Sequence, residues 1–184
     1  MEEVTEILKG TLLDYSNLVG HSDDMYKIER MQFRLEWLKQ NTETPVLEVG
    51  CATGYVLNYV CSEGVGVDIN RERLKVAKVR NLNSTFFLSD AEKLDFLDKS
   101  FNTVIVSEVL EHMPFEKSLR VLHEASRVGN NVLVTLPKET GEEGRNKNPE
   151  HYWLATKESI DKLTENYTIL EMFEDQDFFF FKIC

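Results

Sequence analysis

The stretch Val46–Gly54 (VLEVGCATG) holds the first residues whose types and spacing could do chemistry. Gly50, Ala52 and Gly54 alternate with other residues directly after an apolar run, and Tyr55–Cys61 then reads as a helix. Small residues at such a place let the backbone approach a ligand closely, and the helix that follows presents N–H groups without intrahelical partners. Two phosphate-binding versions of such a loop are excluded. A dinucleotide fingerprint would need glycines at 50, 52 and 55, where this chain has Gly50, Ala52 and Tyr55. No G-x-x-x-x-G-K-[ST] occurs anywhere. Carboxylates stand there instead: Glu48 two residues before the first loop glycine, Asp68 at the end of GVGVD, and Asp90 just after TFFL. Asp68 is placed either to take both hydroxyls of a ribose or to cap the helix that starts near Arg71. Asp90 is placed either at the same ligand edge or as the cap of the turn around Glu92. Acids after three successive apolar runs, with no phosphate cradle, suit a nucleoside that carries positive charge. A fourth group follows in Ser107–Pro114 (SEVLEHMP), where Glu111 and His112 are the candidates for acid/base work. An imidazole with an ordinary pKa of ~6.5 suits proton transfer near neutrality. The same Glu-His pair could instead hold a strand-to-helix turn.

These groups can cooperate only if the fold brings them to one edge. From Pro45 onward, short apolar runs (Val46–Val49, Gly64–Asp68, Thr85–Leu88, Val104–Val106, Val132–Thr135) alternate with helical patterns (Tyr55–Cys61, Arg71–Arg80, Phe115–Val128, Thr156–Asn166). Near-continuous apolar strands alternating with helices predict a parallel sheet covered on both faces. Tyr167–Met172 and Asp177–Cys184 (DFFFFKIC) lie too close together for a helical crossover and predict an antiparallel hairpin. Its four consecutive phenylalanines fit a strand buried on both faces. Two helices are expected upstream. The first carries Val4, Ile7, Leu8, Leu12 and Tyr15, and the second Ile28, Met31, Leu35 and Leu38, with Ser22 or Asp23 as its cap.

Composition narrows the classes further. With 184 residues, no internal repeat and no Gly/Pro-rich linker, one domain is expected, a helical segment 1–44 leading into a core 45–184. The sum of 21 Lys+Arg and 32 Asp+Glu gives −11, which argues against nucleic acid or an anionic membrane as a general partner. No apolar run approaches the ~18 residues of a membrane span, and a cytoplasmic location is expected. Cys51, Cys61 and Cys184 are odd in number and lack C-x-x-C spacing, so neither a disulfide framework nor a thiolate zinc site is expected. Cys51 reads as a small loop residue, Cys61 as core, and His123 as ordinary helix packing.

Together, VLEVGCATG, GVDIN (Gly66–Asn70), SDAEKLDF (Ser89–Phe96) and VIVSEVLEHM (Val104–Met113) resemble the successive motifs of class I S-adenosylmethionine-dependent methyltransferases. The likeness covers Pro45–Pro137 directly. It implies an α/β, Rossmann-like sheet of seven strands, order 3-2-1-4-5-7-6 with strand 7 antiparallel, and helices on both faces. It also implies S-adenosylmethionine as cofactor, S-adenosylhomocysteine as product, and a cofactor site across the ends of strands 1 to 4. Carried over residue by residue, Glu48 would lie near the methionine end, and Gly50, Cys51, Ala52 and Gly54 would form the loop beneath methionine and ribose. Asp68 would bind the ribose hydroxyls, Ile69 would pack on the adenine, and Asp90 would accept from its amino group beside Ala91. Ser107 and Glu108 would border the methionine. Ala52 departs from the family pattern, which has glycine there.

The acceptor is addressed mainly by what is missing. There is no Asn/Asp-Pro-Pro-Tyr/Trp after the fourth strand and no Pro-Cys motif, the family's marks of amine or amide and of cytosine-C5 methylation. SEVLEHMP resembles the large group that methylates small molecules, and the expected reaction is transfer to O, N or C of a small-molecule acceptor. Two alternatives stay open. Glu108, Glu111, His112 and His151 resemble the metal-binding constellation of RNA ribose 2′-O-methyltransferases, although the main reading assigns no metal. A catalytically idle, cofactor-binding subunit is the other. Specificity is expected from the N-terminal segment, with Tyr15, His21, Met25, Tyr26 and Arg30 as lining. The long loop Lys138–Trp153, with Lys138, Arg145 and Lys147, is the other candidate. A homodimer or partner chain could complete the pocket.

Overall fold

Val46–Val49 forms strand β1 with all four residues buried, which is possible only where both faces of a sheet are covered. The computed structural model describes residues 25–138 and 150–184. The expectations for Tyr15, His21, Ser22, Asp23, Arg145 and Lys147 lie outside the described residues, as do the side chains of Met25, Tyr26 and Arg30. In chain order the elements are α1 (Met25–Asn41), β1, α2 (Tyr55–Val60), β2 (Val65–Asp68), α3 (Arg71–Arg80), β3 (Thr85–Leu88) and β4 (Phe101–Ser107). They continue with a 3₁₀ turn (Leu110–His112), α4 (Phe115–Val128), β5 (Gly129–Pro137), α5 (Lys157–Thr164), β6 (Ile169–Glu174) and β7 (Phe178–Ile183).

The seven strands make one sheet in the order β3-β2-β1-β4-β5-β7-β6. Strands β1 to β5 are parallel, and β7 runs antiparallel between β5 and β6, as the family resemblance implied. Successive side chains of a strand point to opposite faces, and the core splits accordingly. Leu47 and Val49, Val104 and Val106, Val132 and Val134, and Phe181 join α4 and α5 on one face. Val46, Ile105, Leu133, Phe178 and Phe180 join α1, α2 and α3 on the other. The run FFFF is therefore split between two cores, which accounts for four large apolar residues in succession.

Helix α1 is a wall of the second core. Leu35 and Leu38 are buried, and Trp37 meets Phe173 and Phe180 edge-on at centroid distances of 5.9 and 5.3 Å. Strand β4 starts three residues earlier than its apolar run predicts, and β5 spans Gly129–Pro137 where only Val132–Thr135 was expected. Their extra residues pair across β4–β5, Phe101 with Gly129 and Ser107 with Thr135. Partner strands lengthen a strand beyond its own apolar core, and the sequence pattern cannot register that.

Candidate functional site

The strand order reverses between β1 and β4, so the loops after these two strands part and leave a crevice at their C-terminal ends. Ligands bind at such points in open α/β sheets. On the β1 side, residues 50–54 turn through three left-handed conformations, Gly50 (φ 69), Ala52 (φ 47) and Gly54 (φ 70). A Cβ on Gly50 would lie 2.6 Å from the Val109 side chain, and one on Gly54 would lie 2.6 Å from Nδ2 of Asn81. The two glycines are thus required by space as well as by backbone angle. Ala52 carries its left-handed angle without glycine's freedom and holds it through a hydrogen bond. Its N–H donates to Oδ2 of Asp68 at 2.8 Å.

Asp68 ends β2, is buried, and also accepts from the Asn70 N–H through Oδ1 at 2.7 Å. It does not cap α3. Asn70 does, accepting from the N–H groups of Glu72 and Arg73. The Cys51 N–H donates to the Val67 carbonyl at 2.9 Å, and Asn81 Nδ2 donates to the Gly54 carbonyl at 3.0 Å. The loop is clipped at each end to elements that already belong to the core. Cys51 is buried and its thiol is pushed far up by burial and then by the Glu48 and Asp68 charges, so it stays protonated. Cys61 is half-buried against the second core.

Glu48 lies beneath this loop, 3% exposed, and accepts from the Leu57 N–H in the first turn of α2 at 3.0 Å. Burial raises its pKa from 4.5 to about 8, opposed by that hydrogen bond and by the charge of Arg34. Ile69 is 72% exposed, a large apolar side chain left open at the rim. Asp90 is also at the rim. It accepts from the Glu92 N–H, as its turn-capping reading expects, and Lys117 Nζ lies 3.3 Å from both its oxygens. The turn hydrogen bond first, and Lys117 with it, hold Asp90 below the usual carboxylate range. Ala91 packs against the first core.

On the β4 side, Ser107 Oγ and Thr135 Oγ1 are 2.8 Å apart, and the Glu108 N–H donates to the Thr135 carbonyl at 3.0 Å. Glu108 has φ 53, an uncommon conformation for a residue with a side chain, and its carboxylate meets the Arg34 guanidinium. The 3₁₀ turn then places Glu111, 1% exposed, beneath an exposed His112. His151 arrives from beyond β5, its ring centroid 4.8 Å from that of His112 and perpendicular to it at 84°. Burial, and then the neighbouring His151, lower the pKa of His112 and favour its neutral form. His123 is exposed on α4, so its expected packing role is not observed.

Several residues at this edge were not picked out from the sequence. Arg34 is one, although it stands three residues after Met31 and four before Leu38, and a cation inside an apolar stripe is a readable signal. Trp153 is another. Its Nε1–H lies 3.1 Å from the Leu110 carbonyl and 3.2 Å from Ser118 Oγ, and the Tyr152 N–H donates to the Glu111 carbonyl at 2.8 Å. Nothing near Leu110 announces that partnership. A depression of about 560 Å³ bounded by Thr44, Gly64 and Thr85 lies at the opposite end of β1–β3 and touches none of these residues.

Residues 46–131 match the family model described as a methyltransferase domain. No curated protein matches the chain at a significant level. Among solved structures, magnesium protoporphyrin IX methyltransferase (ChlM) from Synechocystis PCC 6803 with bound SAH superposes with a TM-score of 0.70. It is 16% identical over 94% of both chains. The PH0226 protein of Pyrococcus horikoshii OT3 gives 0.69, at 20% identity, over 89% of this chain and 92% of that one. The N-methyltransferase NodS from Bradyrhizobium japonicum WM9 gives 0.67, at 17% identity, over 88% and 97%. Motifs, sheet order and domain match agree: residues 46–131 match a methyltransferase domain, and the chain has the fold of the solved methyltransferases on which it superposes.

Proposed function

We propose that this enzyme transfers a methyl group from S-adenosylmethionine to a small-molecule acceptor. Glu48, Gly50, Cys51, Ala52, Gly54, Asp68, Ile69, Asp90, Ala91, Ser107 and Glu108 form the cofactor side of the crevice in this reading, and Glu111 and His112 face the acceptor. The observation that carries it is the charge at the crevice. Asp68 ends β2 and Asp90 follows β3 at the crevice rim, both without a phosphate cradle beside them, in a chain with net charge −11. Such a field repels a polyanion and admits a sulfonium nucleoside and a compact acceptor. One relative is named for a porphyrin acceptor, magnesium protoporphyrin IX, which supports the small-molecule reading.

The residues fit the cofactor. Asp68 uses one lone pair of each oxygen on Ala52 and Asn70, which leaves acceptor capacity for two ribose hydroxyls. The missing Cβ atoms of Gly50 and Gly54 allow a close backbone approach, and exposed Ile69 offers an apolar face to a base. When bound, S-adenosylmethionine supplies an electrophilic methyl whose leaving group is a neutral thioether. Little more than alignment and exclusion of water is then needed for an acceptor that carries no proton to lose. For an acceptor that must lose one, His112 in its neutral form takes it, with Glu111 behind it.

The test is transfer of labelled methyl from S-adenosylmethionine into a metabolite extract, with RNA and protein fractions in parallel. Label is expected in a small molecule, and label confined to RNA would establish the ribose-methylating alternative. Tight cofactor binding with no transfer to any fraction would establish the idle subunit. His112→Ala should depress turnover at least about a hundredfold if it moves the proton, with cofactor affinity unchanged; an equal loss in both would assign it a structural role.

A further inference from the structure

Strand β3 ends the sheet, and among the described residues no strand pairs with its outer side. The Thr85 N–H donates to the Gly64 carbonyl at 2.9 Å and the Ser89 N–H to the Asp68 carbonyl at 3.1 Å, so alternate residues from Thr85 turn their backbone toward β2. Phe86 and Leu88 therefore hold their N–H and C=O groups toward the open side. The side chains at this edge are apolar on both faces. Phe87, in register with Val67, lies on the first-core face and meets the Phe96 ring edge-on at 6.1 Å. Phe86 and Leu88 take the other face, where Phe86 packs with Leu74 and Ala77 of α3. Phe87 is 47% exposed and Leu88 49%, and Leu82 just before the strand is exposed as well.

Helix α3 lays a basic flank along the same edge. Its residues include Arg71, Arg73, Lys75, Lys78 and Arg80 against a single acid, Glu72, in a chain of net charge −11. Leu74 and Ala77 face the core. Arg80 marks the flank turned toward β1, because it donates to Thr53 at 2.9 Å and lies over the Tyr55 ring of α2. At about 3.6 residues per turn, Arg71, Lys75 and Lys78 fall on the opposite flank, toward the open side of β3. All three are exposed, and among the described residues only Lys75 has an ion pair, with Glu72 of its own helix.

We propose that β3 takes an extended segment of a partner protein as an added strand, one in which acidic residues alternate with apolar ones. Side chains of an added strand point alternately to the two faces of the sheet. The apolar set then lies beside Phe87, and the acidic set lies beside Arg71, Lys75 and Lys78. Phe86 and Leu88 supply the backbone ladder, and the charges select the partner. A second copy of this chain is a poor occupant. Antiparallel pairing of two β3 edges about a twofold axis sets α3 beside α3 on one face, cations against cations. Nucleic acid would engage the cations but brings no strand to pair with Phe86 and Leu88.

The experiment follows hydrogen exchange at the Phe86 and Leu88 amides of the full chain, alone and with a synthetic peptide that alternates valine with glutamate. Fast exchange in the free chain and protection by the peptide are expected, with affinity that falls as salt rises. Arg71→Glu combined with Lys78→Glu should weaken binding at least about tenfold, and so should replacing the peptide's glutamates by lysine. Both substituted residues are exposed, so this variant should fold even if Leu88→Pro, which removes a ladder N–H, does not. No protection by the peptide, or equal binding of its lysine counterpart, overturns the proposal. Protection already present in the free chain overturns it too. If independent of concentration, it assigns the edge to another segment of this chain; if it grows with concentration, to a second copy. An RNA oligonucleotide that binds more tightly than the peptide, and is lost with the same charge reversals, would make α3 a nucleic-acid surface instead.

Discussion

The two walls of the crevice are made differently. The β1–β2 wall is bonded locally: the hydrogen bonds that hold loop 50–54 run between Glu48 and Asn81, most of them from backbone N–H to a carboxylate or carbonyl. Only packing groups such as Val109 over Gly50 come from farther along the chain. The β4 wall is assembled from afar. Glu108 is met by Arg34 from α1, Ser107 by Thr135, and the turn at Leu110–His112 by His151, Tyr152 and Trp153. A local wall can serve a constant ligand through a short motif. A distributed wall can change what it faces by changing any one distant contributor.

Breaking the local wall should cost most. Gly54→Ala forces a side chain into φ 70 and puts its Cβ 2.6 Å from Asn81. A loss of about 2–4 kcal/mol is expected from the left-handed penalty and overpacking together, measured by urea denaturation. A loss under half a kcal/mol would show that the loop is softer than its clips suggest. Glu48 tests the same wall through pH. Its folded pKa is about 8 against 4.5, so the native protein holds a proton that the unfolded chain releases. Stability from this group is full below about pH 4.5 and is lost as pH rises through about 8, at no more than about 1.4 kcal/mol per pH unit. Glu48→Gln should flatten that decline between pH 5 and 8. An unchanged slope would mean that Glu48 is ionised in the native state.

Asp68→Ala should weaken S-adenosylhomocysteine binding by on the order of 2 kcal/mol, the scale of a lost pair of charge-assisted hydrogen bonds. Unchanged affinity by calorimetry would refute the ribose assignment. Trp153→Phe probes the distributed wall, since it removes the donor to Leu110 and Ser118 while keeping most of the volume. A stability loss of about 1 kcal/mol is expected, with turnover reduced and cofactor affinity unaltered. An equal fall in cofactor affinity would show that the two walls are coupled. The smallest effect belongs to Ala52→Gly, which relieves φ 47 and should be neutral or stabilising by up to about 1 kcal/mol.

The two walls also differ in how far they could be read in advance. VLEVGCATG, Asp68 and Asp90 were visible because alternating apolar runs and turn residues report backbone conformation directly, and the resemblance to a family attached roles to them. Glu111 and His112 were visible by type. Their neighbourhood was not, because a contact such as Trp153 with Leu110 spans 43 residues and leaves no periodicity. Glu108 shows the limit most sharply. Its motif suggested a place beside the cofactor or in a metal set, and its charge is met by an arginine 74 residues earlier, counting from 34 to 108.

By itself the sequence determined the alternation of strands and helices, the crevice loop after β1, the acids at successive strand ends, and the sign of the charge around them. These are consequences of local side-chain size, period and ionisation. Only the tertiary structure decided which of those acids are buried, which are already engaged, and which stand next to an imidazole. Desolvation and ion pairing depend on atoms within a few ångströms, whatever their distance along the chain. That is why Glu48 is driven toward its protonated form, Asp90 is held charged by its turn and Lys117, and Glu111 meets two histidines that lie 39 residues apart, at 112 and 151.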